Sequence, residues 1–363
     1  MSDRQLATIQ TITNLEPIPD ADRIEKATIL GWECVVKKGT FKVGDKCIYI
    51  EIDSLLPKEV KYWEFMTERK FRVKTIKLKK QISQGLVVPI TDFSAIDTEL
   101  KVGTDVTEKL GITKWESESD KEANSSNTPR KKHGWFIKFM TRFSWYRKLT
   151  KTRSKSFPEW ISKTDEPRCQ SLIWSKILEN AKTKKLYVTE KLDGQSATYW
   201  YNKTGFRHEF GICSRAVRKF KIDGSNWSKT AIIFNIEHIL KDYYHKTKQY
   251  LAIQGEIIGP PIQSNKYAKK DFDFYIFNVF DIKTKKYFSL EEIIKFGIAT
   301  GLKTVPVLDE DYILPETVAE LIEFSKGNSI LLPVKREGIV IRSHDQTLSF
   351  KAINPEFLLE HGL

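Results

Sequence analysis

The 363-residue chain is short of the features that define several common protein classes. It has only four cysteines, Cys34, Cys47, Cys169 and Cys213, and no CxxC spacing. A disulfide framework and a zinc knuckle are therefore not indicated, and a reducing compartment fits best. No run of about 18 apolar residues occurs, so no segment reads as a transmembrane helix. The opening MSDRQLATIQ lacks the apolar centre of a signal peptide. An intracellular protein, cytoplasmic or nuclear and without a membrane partner, is expected. Neither GxGxxG nor a P-loop is present. Negative charge is nearly missing from one stretch. Between Lys121 and Ser156, eleven lysines and arginines face the single acid Glu122, which makes +10 of the chain's +13. A basic excess favours polyanionic partners, nucleic acid before a membrane surface.

What is present builds cores. The chain is 40% hydrophobic and 12% aromatic, and its length suggests two or three domains. Residues 1–110 read as short strands separated by turns, with runs at Trp32–Val36 and Lys46–Ile52, which predicts a small barrel. Within it, Arg69, Lys70, Arg72, Lys74, Lys77, Lys79 and Lys80 crowd one expected strand and its turn. They form either a solvated edge that discourages aggregation or a face that tracks phosphates. Residues 111–133 are polar and nearly free of aliphatics, as in a linker. The following "WFIKFMTRFSWYRKL" has helical periodicity with basic residues off the apolar face. Such a helix packs on its own protein, on RNA or on a membrane surface.

From residue 157 to 363 the pattern is strand-rich with interspersed helices at "TAIIFNIEHILKDYYHK" and "SLEEIIKFGIATG". It is not a βαβα alternation, so the expected class is α+β with antiparallel sheets. "VTEKLDGQSATYWY" places Lys191 between strand-like flanks and follows it with Asp193-Gly194. Alone, that tetrapeptide reads as a solvated lysine before a hairpin turn. Downstream, however, single charges sit inside apolar strands: Glu256 in "IQGEIIGP", Glu337 in "EGIVIRS" and Lys351 in "LSFKAIN". Lone buried charges are unfavourable unless paired or functional. Two lysines and three acids, Asp193 included, imply a shared charged cleft.

The order of these segments resembles the covalent nucleotidyltransferase superfamily of polynucleotide ligases and capping enzymes. Lys191-Leu192-Asp193-Gly194 is similar to its nucleophile motif, and "CSRAVR" to the next element, with Arg215 in the arginine position. Glu256, the aromatic strand "FYIFNVFD" with Phe277, Glu337 and Lys351 follow in the superfamily's order. The six segments span about Phe157 to Asn354. With "FPEWISKTDEPRCQ" and the N-terminal barrel, the chain looks like the RNA ligases whose oligonucleotide-binding (OB) domain precedes the catalytic domain. Only 12 residues follow Lys351, too few for the C-terminal OB domain of DNA ligases and capping guanylyltransferases. Ser349 stands where many members carry a first lysine, and the resemblance does not extend to the basic insert.

The pattern along the chain, taken with the resemblance, predicts domains at 1–110 (OB-like) and 157–363 (adenylylation), with the linker and basic insert at 111–156 read from composition alone. It implies an ATP-dependent RNA ligase that joins an RNA 3′-OH to a 5′-phosphate, at duplex nicks, through lysyl-AMP. Lys191 would be the nucleophile, with Lys351 and Arg215 as catalytic cations. Glu190, Arg168, Phe277, Glu256 and Arg215 would meet the nucleotide. Asp193, Glu256 and Glu337 would hold Mg2+ or Mn2+. Arg69, Arg72, Lys74, Lys77 and Lys79 would meet nucleic acid, with RNA as partner, DNA as a further 5′-phosphate or template strand, and a monomer as the working form. A depressed Lys191 pKa is expected from nearby positive charge. The competing readings are a GTP-dependent capping guanylyltransferase and a non-catalytic RNA-binding module on the same scaffold.

Overall fold

The computed structural model describes residues 5–116, 156–162, 165–219 and 224–363. The basic helix expected at 135–149 and most of the insert lie outside the described residues.

The N-terminal part is built from β1 (Ala7–Thr11), β2 (Asn14–Pro17), β3 (Ile24–Ile29), β4 (Trp32–Lys37), β5 (Lys46–Ile50), β6 (Ser54–Leu55), β7 (Thr75–Leu78), β8 (Gln81–Gln84), β9 (Leu86–Pro89) and β10 (Thr113–Lys114). The strands pair antiparallel as β1-β5-β9, β2-β3-β4, β7-β8 and β10-β6. Alternation sets their faces: in β4, Trp32, Cys34 and Val36 point inward while the residues between them are more exposed. The barrel core takes in Ile112, and the Trp115 N–H donates to Asp53 O at 2.8 Å, so barrel structure runs past residue 110.

The expected basic strand is divided. Arg69 ends a 3₁₀ helix at Lys61–Arg69, Lys77 alone lies in β7, and Lys79 and Lys80 turn into β8 with positive φ. Ionic and steric demands of the tertiary fold override the sequence alternation here.

The C-terminal part contains α1 (Trp174–Ala181), β11 (Leu186–Lys191), β12 (Gln195–Thr204), β13 (Arg207–Ser214), β14 (Arg218–Lys219), α2 (Asn226–Ile233), α3 (Ile236–Thr247), β15 (Leu251–Ile258), β16 (Asp273–Asp281), β17 (Lys286–Tyr287), α4 (Leu290–Thr300), β18 (Lys303–Thr304), β19 (Val307–Tyr312), α5 (Val318–Ser325), β20 (Gly338–Ser343), β21 (Ser349–Ile353) and α6 (Pro355–His361). Four strands form one sheet, β19-β11-β20-β21, and seven form another along β14-β13-β12-β15-β16-β17, with β18 parallel to β16. The single helix expected over 230–246 is two, because Asn235 sits in the left-handed region between them. α4 has the capping box its sequence advertises, Ser289 with Glu292, and ends at Gly301.

One correction bears on function. β11 and β12 do not form a hairpin; they belong to different sheets. Residues 192–194 therefore cross from one sheet to the other, and Lys191 stands at the cleft between them.

The barrel docks against this cleft. Gly31 N donates to Gln170 O at 3.0 Å, and Ser171 Oγ donates to Glu51 Oε1 at 2.9 Å. Ile52 packs into an apolar cluster with Ile353, Phe357 and Leu358.

Candidate active site

β11 is buried over its first five residues, and this rigid strand presents Lys191 as its last, half-buried position. Lys191 Nζ donates to Glu337 Oε2 at 2.6 Å. Glu337 immediately precedes β20, which pairs with β11 so that Lys191 lies opposite Gly338. Glu256 enters from β15, opposite Ser196 of β12. Asp193 is gripped by two consecutive loop residues: its backbone N–H donates to Tyr267 OH at 2.9 Å, and its carboxylate pairs with Lys266.

Gly194 is required by close approach. A Cβ there would lie 2.3 Å from Ile257 O and 2.9 Å from Glu256 Cγ. The absent side chain lets the crossing segment press onto β15, with Asp193 near enough to act on Glu256 electrostatically.

Lys351 lies on β21, in the same sheet as Lys191. Its N–H donates to Pro167 O, and its Nζ lies 3.4 Å from Asp165 Oδ1. Arg215, just past β13, reaches the other oxygen of Asp165 at 2.5 Å. Arg168 pairs with Asp53 of the barrel at 3.3 Å. Glu190 is buried and accepts from Ile330 N at 2.9 Å through one oxygen. Its other oxygen is buried with no hydrogen-bond partner among the described residues. Phe277 lies beneath the Arg342 guanidinium, 5.6 Å from the ring centroid. All nine of these expected residues, with Asp193, Glu256 and Glu337 among them, line one cleft of about 670 Å³.

The barrel residues divide differently. Arg69, Lys77 and Lys79 are exposed and Lys74 is half-buried. Arg72 leaves this surface for the cleft, pairs with Asp53 at 3.0 Å and stacks 3.4 Å above the Trp115 ring.

The cleft's charges set its proton affinities. Burial pushes Glu256 up to about 8, helped by Glu337 and Asp193 against the pull of Lys191. Burial also lifts Asp193 to about 6, with Glu337 adding and Lys266 and Lys191 opposing. For Lys191, burial acts downward, but Glu337, Glu256 and Asp193 outweigh it and hold the ammonium above its usual value. The expected depression of Lys191 is thus not a property of the chain by itself. It is Lys351 that falls, to about 8, through burial and the neighbouring Lys191 and Arg168 against the attraction of Asp165.

Several residues in and around the cleft had no role in the sequence reading. Arg342 is 3% exposed and pairs with Glu166 at 2.6 Å. It is a lone charge in an apolar strand, the signal that marks Glu256. Ser349 stands directly across from Arg342 in the β20–β21 ladder, and its hydroxyl is buried with no partner among the described residues. Asp165, Glu166 and Lys266 sit in polar loops, where a charge gives no contrast with its neighbours.

The sequence profile of an OB-fold domain matches residues 6–90, and that of RNA ligase matches residues 184–353. Among solved structures, an RNA ligase of Naegleria gruberi aligns over 100% of this chain and 99% of its own, at 33% identity and TM-score 0.82. The chain belongs to the RNA ligase family. The same Naegleria ligase with PPi aligns over 99% of both chains at 34% identity and TM-score 0.81. A Glu-to-Ala mutant of it with ATP and Mn aligns over 99% of this chain and 100% of its own at 32% identity and TM-score 0.82. No curated protein sequence matches. This RNA ligase thus carries an N-terminal OB-fold domain before a catalytic domain of mixed helices and antiparallel sheets.

Proposed function

We propose that this ligase joins an RNA 3′-OH to a 5′-phosphate end at nicks in a duplex, with ATP as the activating nucleotide and lysyl-AMP at Lys191 as the covalent intermediate. One observation carries the reading. In a single cleft Lys191 meets three carboxylates, Asp193, Glu256 and Glu337, together with the cations Lys351 and Arg215. The solved Naegleria relatives hold ATP with Mn and AMP with Mn.

The chemistry has three steps. Lys191 Nζ attacks the α-phosphorus and pyrophosphate leaves. AMP then passes from Nζ to the RNA 5′-phosphate. Finally the 3′-OH attacks that phosphate and AMP leaves. A phosphoramidate keeps the nucleotide activated between the first two steps, which is what a covalent lysine contributes. Arg215 and Lys351 face the phosphates and stabilise charge as it develops there. Phe277 offers its ring to the base. Glu190 and Arg168 lie along the same cleft and orient the nucleotide.

The acids suit a divalent cation. Asp193, Glu256 and Glu337 supply hard oxygen donors, and burial, with the neighbouring acids adding to it, raises the pKa values of Asp193 and Glu256. Among the described residues no group of three such side chains converges on one ion position. We read the three acids as donors that would hold Mg2+ or Mn2+ through its water shell. Bound there, the cation would supply positive charge that lowers the Lys191 pKa and neutralises phosphate oxygens.

The exposed Arg69, Lys77 and Lys79 and the half-buried Lys74 contribute backbone contacts, which read charge rather than sugar. This supports RNA or DNA as the 5′-phosphate strand and template. The four cysteines are buried and unpaired, in keeping with a reducing, intracellular setting. Among the described residues no helix is long and apolar enough to cross a membrane.

Sealing of matched nicked duplexes tests the substrate assignment. An RNA 3′-OH should be joined whether the 5′-phosphate strand is RNA or DNA. Equal or better sealing from a DNA 3′-OH would overturn it.

A further inference from the structure

Asp193 is the one acid of the cluster that no strand holds. Glu256 lies within β15 and Glu337 abuts β20, whereas Asp193 sits in the segment that crosses between the two sheets. A carboxylate on irregular backbone takes its orientation from its contacts. Here they come from two consecutive residues of the loop between β15 and β16. The Tyr267 hydroxyl accepts from Asp193 N at 2.9 Å, and the Lys266 ammonium pairs with Asp193 Oδ2. Tyr267 is buried, and the Lys266 and Asp193 side chains are only 14% and 11% exposed.

The loop is built to deliver this pair. Gln263, Ser264 and Asn265 are consecutive left-handed residues, with φ of 45°, 58° and 49°. That conformation is unfavourable for residues with a Cβ and persists only where the surroundings impose it. Asn265 imposes it. Its Nδ2 donates to Lys269 O at 2.8 Å, its Oδ1 accepts from Lys269 N at 3.0 Å, and its carbonyl accepts from Ala268 N at 2.8 Å. The closed turn carries Lys266 and Tyr267 to Asp193. On its other side the Lys266 ammonium lies 5.0 Å from the ring centroid of Phe357 on α6, so the side chain is placed from both ends.

We propose that Lys266 is a positioning residue of the ligase: together with Tyr267 it fixes the Asp193 carboxylate from outside the cleft, in the orientation that receives the divalent cation. The proposal rests on the RNA-ligase reading and adds a supporting contact behind one of its three acids.

Two roles are open to an ammonium beside such an acid. It can hold the carboxylate in place, or it can stand in for the cation and compete with it. The location favours the first. Asp193 lines the cleft and Lys266 does not. The ammonium that the three acids share is that of Lys191, which is drawn to Glu337, Glu256 and Asp193 together. Lys266 grips Oδ2 from behind and leaves Oδ1 for a ligand. Asp193 and Glu337 repel each other, and the Lys266 charge offsets that repulsion, so Asp193 need not turn away.

The test uses the full chain. Mn2+ alone is titrated into the nucleotide-free protein and followed by the spin-resonance signal of the free ion. The Mn2+ dependence of lysine labelling by ATP is then measured. Lys266→Met keeps the stem and removes the charge. It should weaken Mn2+ binding by about tenfold, within the range for contacts that orient a metal-ligating carboxylate. The Mn2+ concentration for half-maximal labelling should rise by the same factor, and labelling at saturating Mn2+ should stay close to that of the wild type. Lys266→Arg should restore both. Tyr267→Phe removes the other hold on Asp193 and should shift Mn2+ binding in the same direction, so the test survives if Lys266→Met fails to fold. Unchanged Mn2+ dependence in these variants would overturn the assignment. Tighter Mn2+ binding in Lys266→Met would overturn it too, by making the ammonium a competitor. Loss of labelling at saturating Mn2+ with Mn2+ binding intact would place Lys266 on the substrate instead. A wild type that binds Mn2+ but takes no label from ATP would refute the ligase reading, while the variants' Mn2+ binding still decides the role of Lys266.

Discussion

Lys191 and Glu337, carried by β11 and the residue just before its partner β20, neutralise each other, Nζ to Oε2 at 2.6 Å. Lys191 is therefore held as an ammonium, while Lys351 is the lysine brought down to about 8. Amine acylation at pH 8, mapped by mass spectrometry, should modify Lys351 faster than Lys191. Glu337→Gln removes the largest upward influence on Lys191 and should speed modification at that position. Faster modification of Lys191 than of Lys351 in the wild type would contradict this arrangement of charge.

Glu256 links the site to stability. Its folded pKa of about 8 lies above its ordinary 4.5, so the folded state keeps a proton that the unfolded state gives up. Between pH 4.5 and 8 the folded chain binds more protons, and stability falls as pH rises through that window. Glu256→Gln cannot ionise. It should melt several degrees higher than the wild type at pH 8 in metal-free buffer, with little difference at pH 5. Mn2+ should raise the wild type and leave the variant nearly unmoved, while lysine labelling is lost. A variant less stable than wild type at pH 8 would make Glu256 a structural acid.

Gly194→Ala would drive a Cβ into Ile257 O and Glu256 Cγ. The crossing segment must then lift away from β15 and carry Asp193 with it. A displacement of about 1 Å in such a site can cost on the order of a hundredfold in rate. Labelling of Lys191 should fall by about that factor while the protein remains folded by circular dichroism. Wild-type labelling would show that the close approach is dispensable.

The barrel's basic residues should separate by experiment as they do in the fold. Lys77→Ala with Lys79→Ala should weaken RNA binding alike for all sequences and lower the slope of log K against log salt by about 2, one for each phosphate no longer neutralised. Arg72→Ala acts elsewhere: it removes the Asp53 pair and the cover over Trp115 inside the cleft. It should impair sealing with a smaller change in salt slope. A larger slope change from Arg72→Ala than from the lysine pair would reverse this division.

Lys191, Glu256, Glu337 and Lys351 were legible because each is a charge in an apolar strand, and burying a charge without a partner is costly. The contrast with neighbours is itself the signal. Asp165 and Lys266 carry none, since charge in a polar loop is unremarkable. Arg72 looked like the six basic residues around it, and only its pairing with Asp53, remote in sequence, draws it inward. Asp193-Gly194 suggested a hairpin because local turn chemistry cannot report that the two flanking strands enter different sheets. The barrel was readable from its short alternating strands. Its docking against the cleft was not, because those contacts join residues more than 100 positions apart.

The central claim is a covalent nucleotide on Lys191, and denaturing electrophoresis after incubation with α-labelled nucleotide and Mg2+ or Mn2+ tests it most directly. ATP, and not GTP, should leave label on the wild-type chain, and Lys191→Ala should carry none. Labelling by GTP in preference to ATP, or label persisting on another residue of Lys191→Ala, would contradict the account.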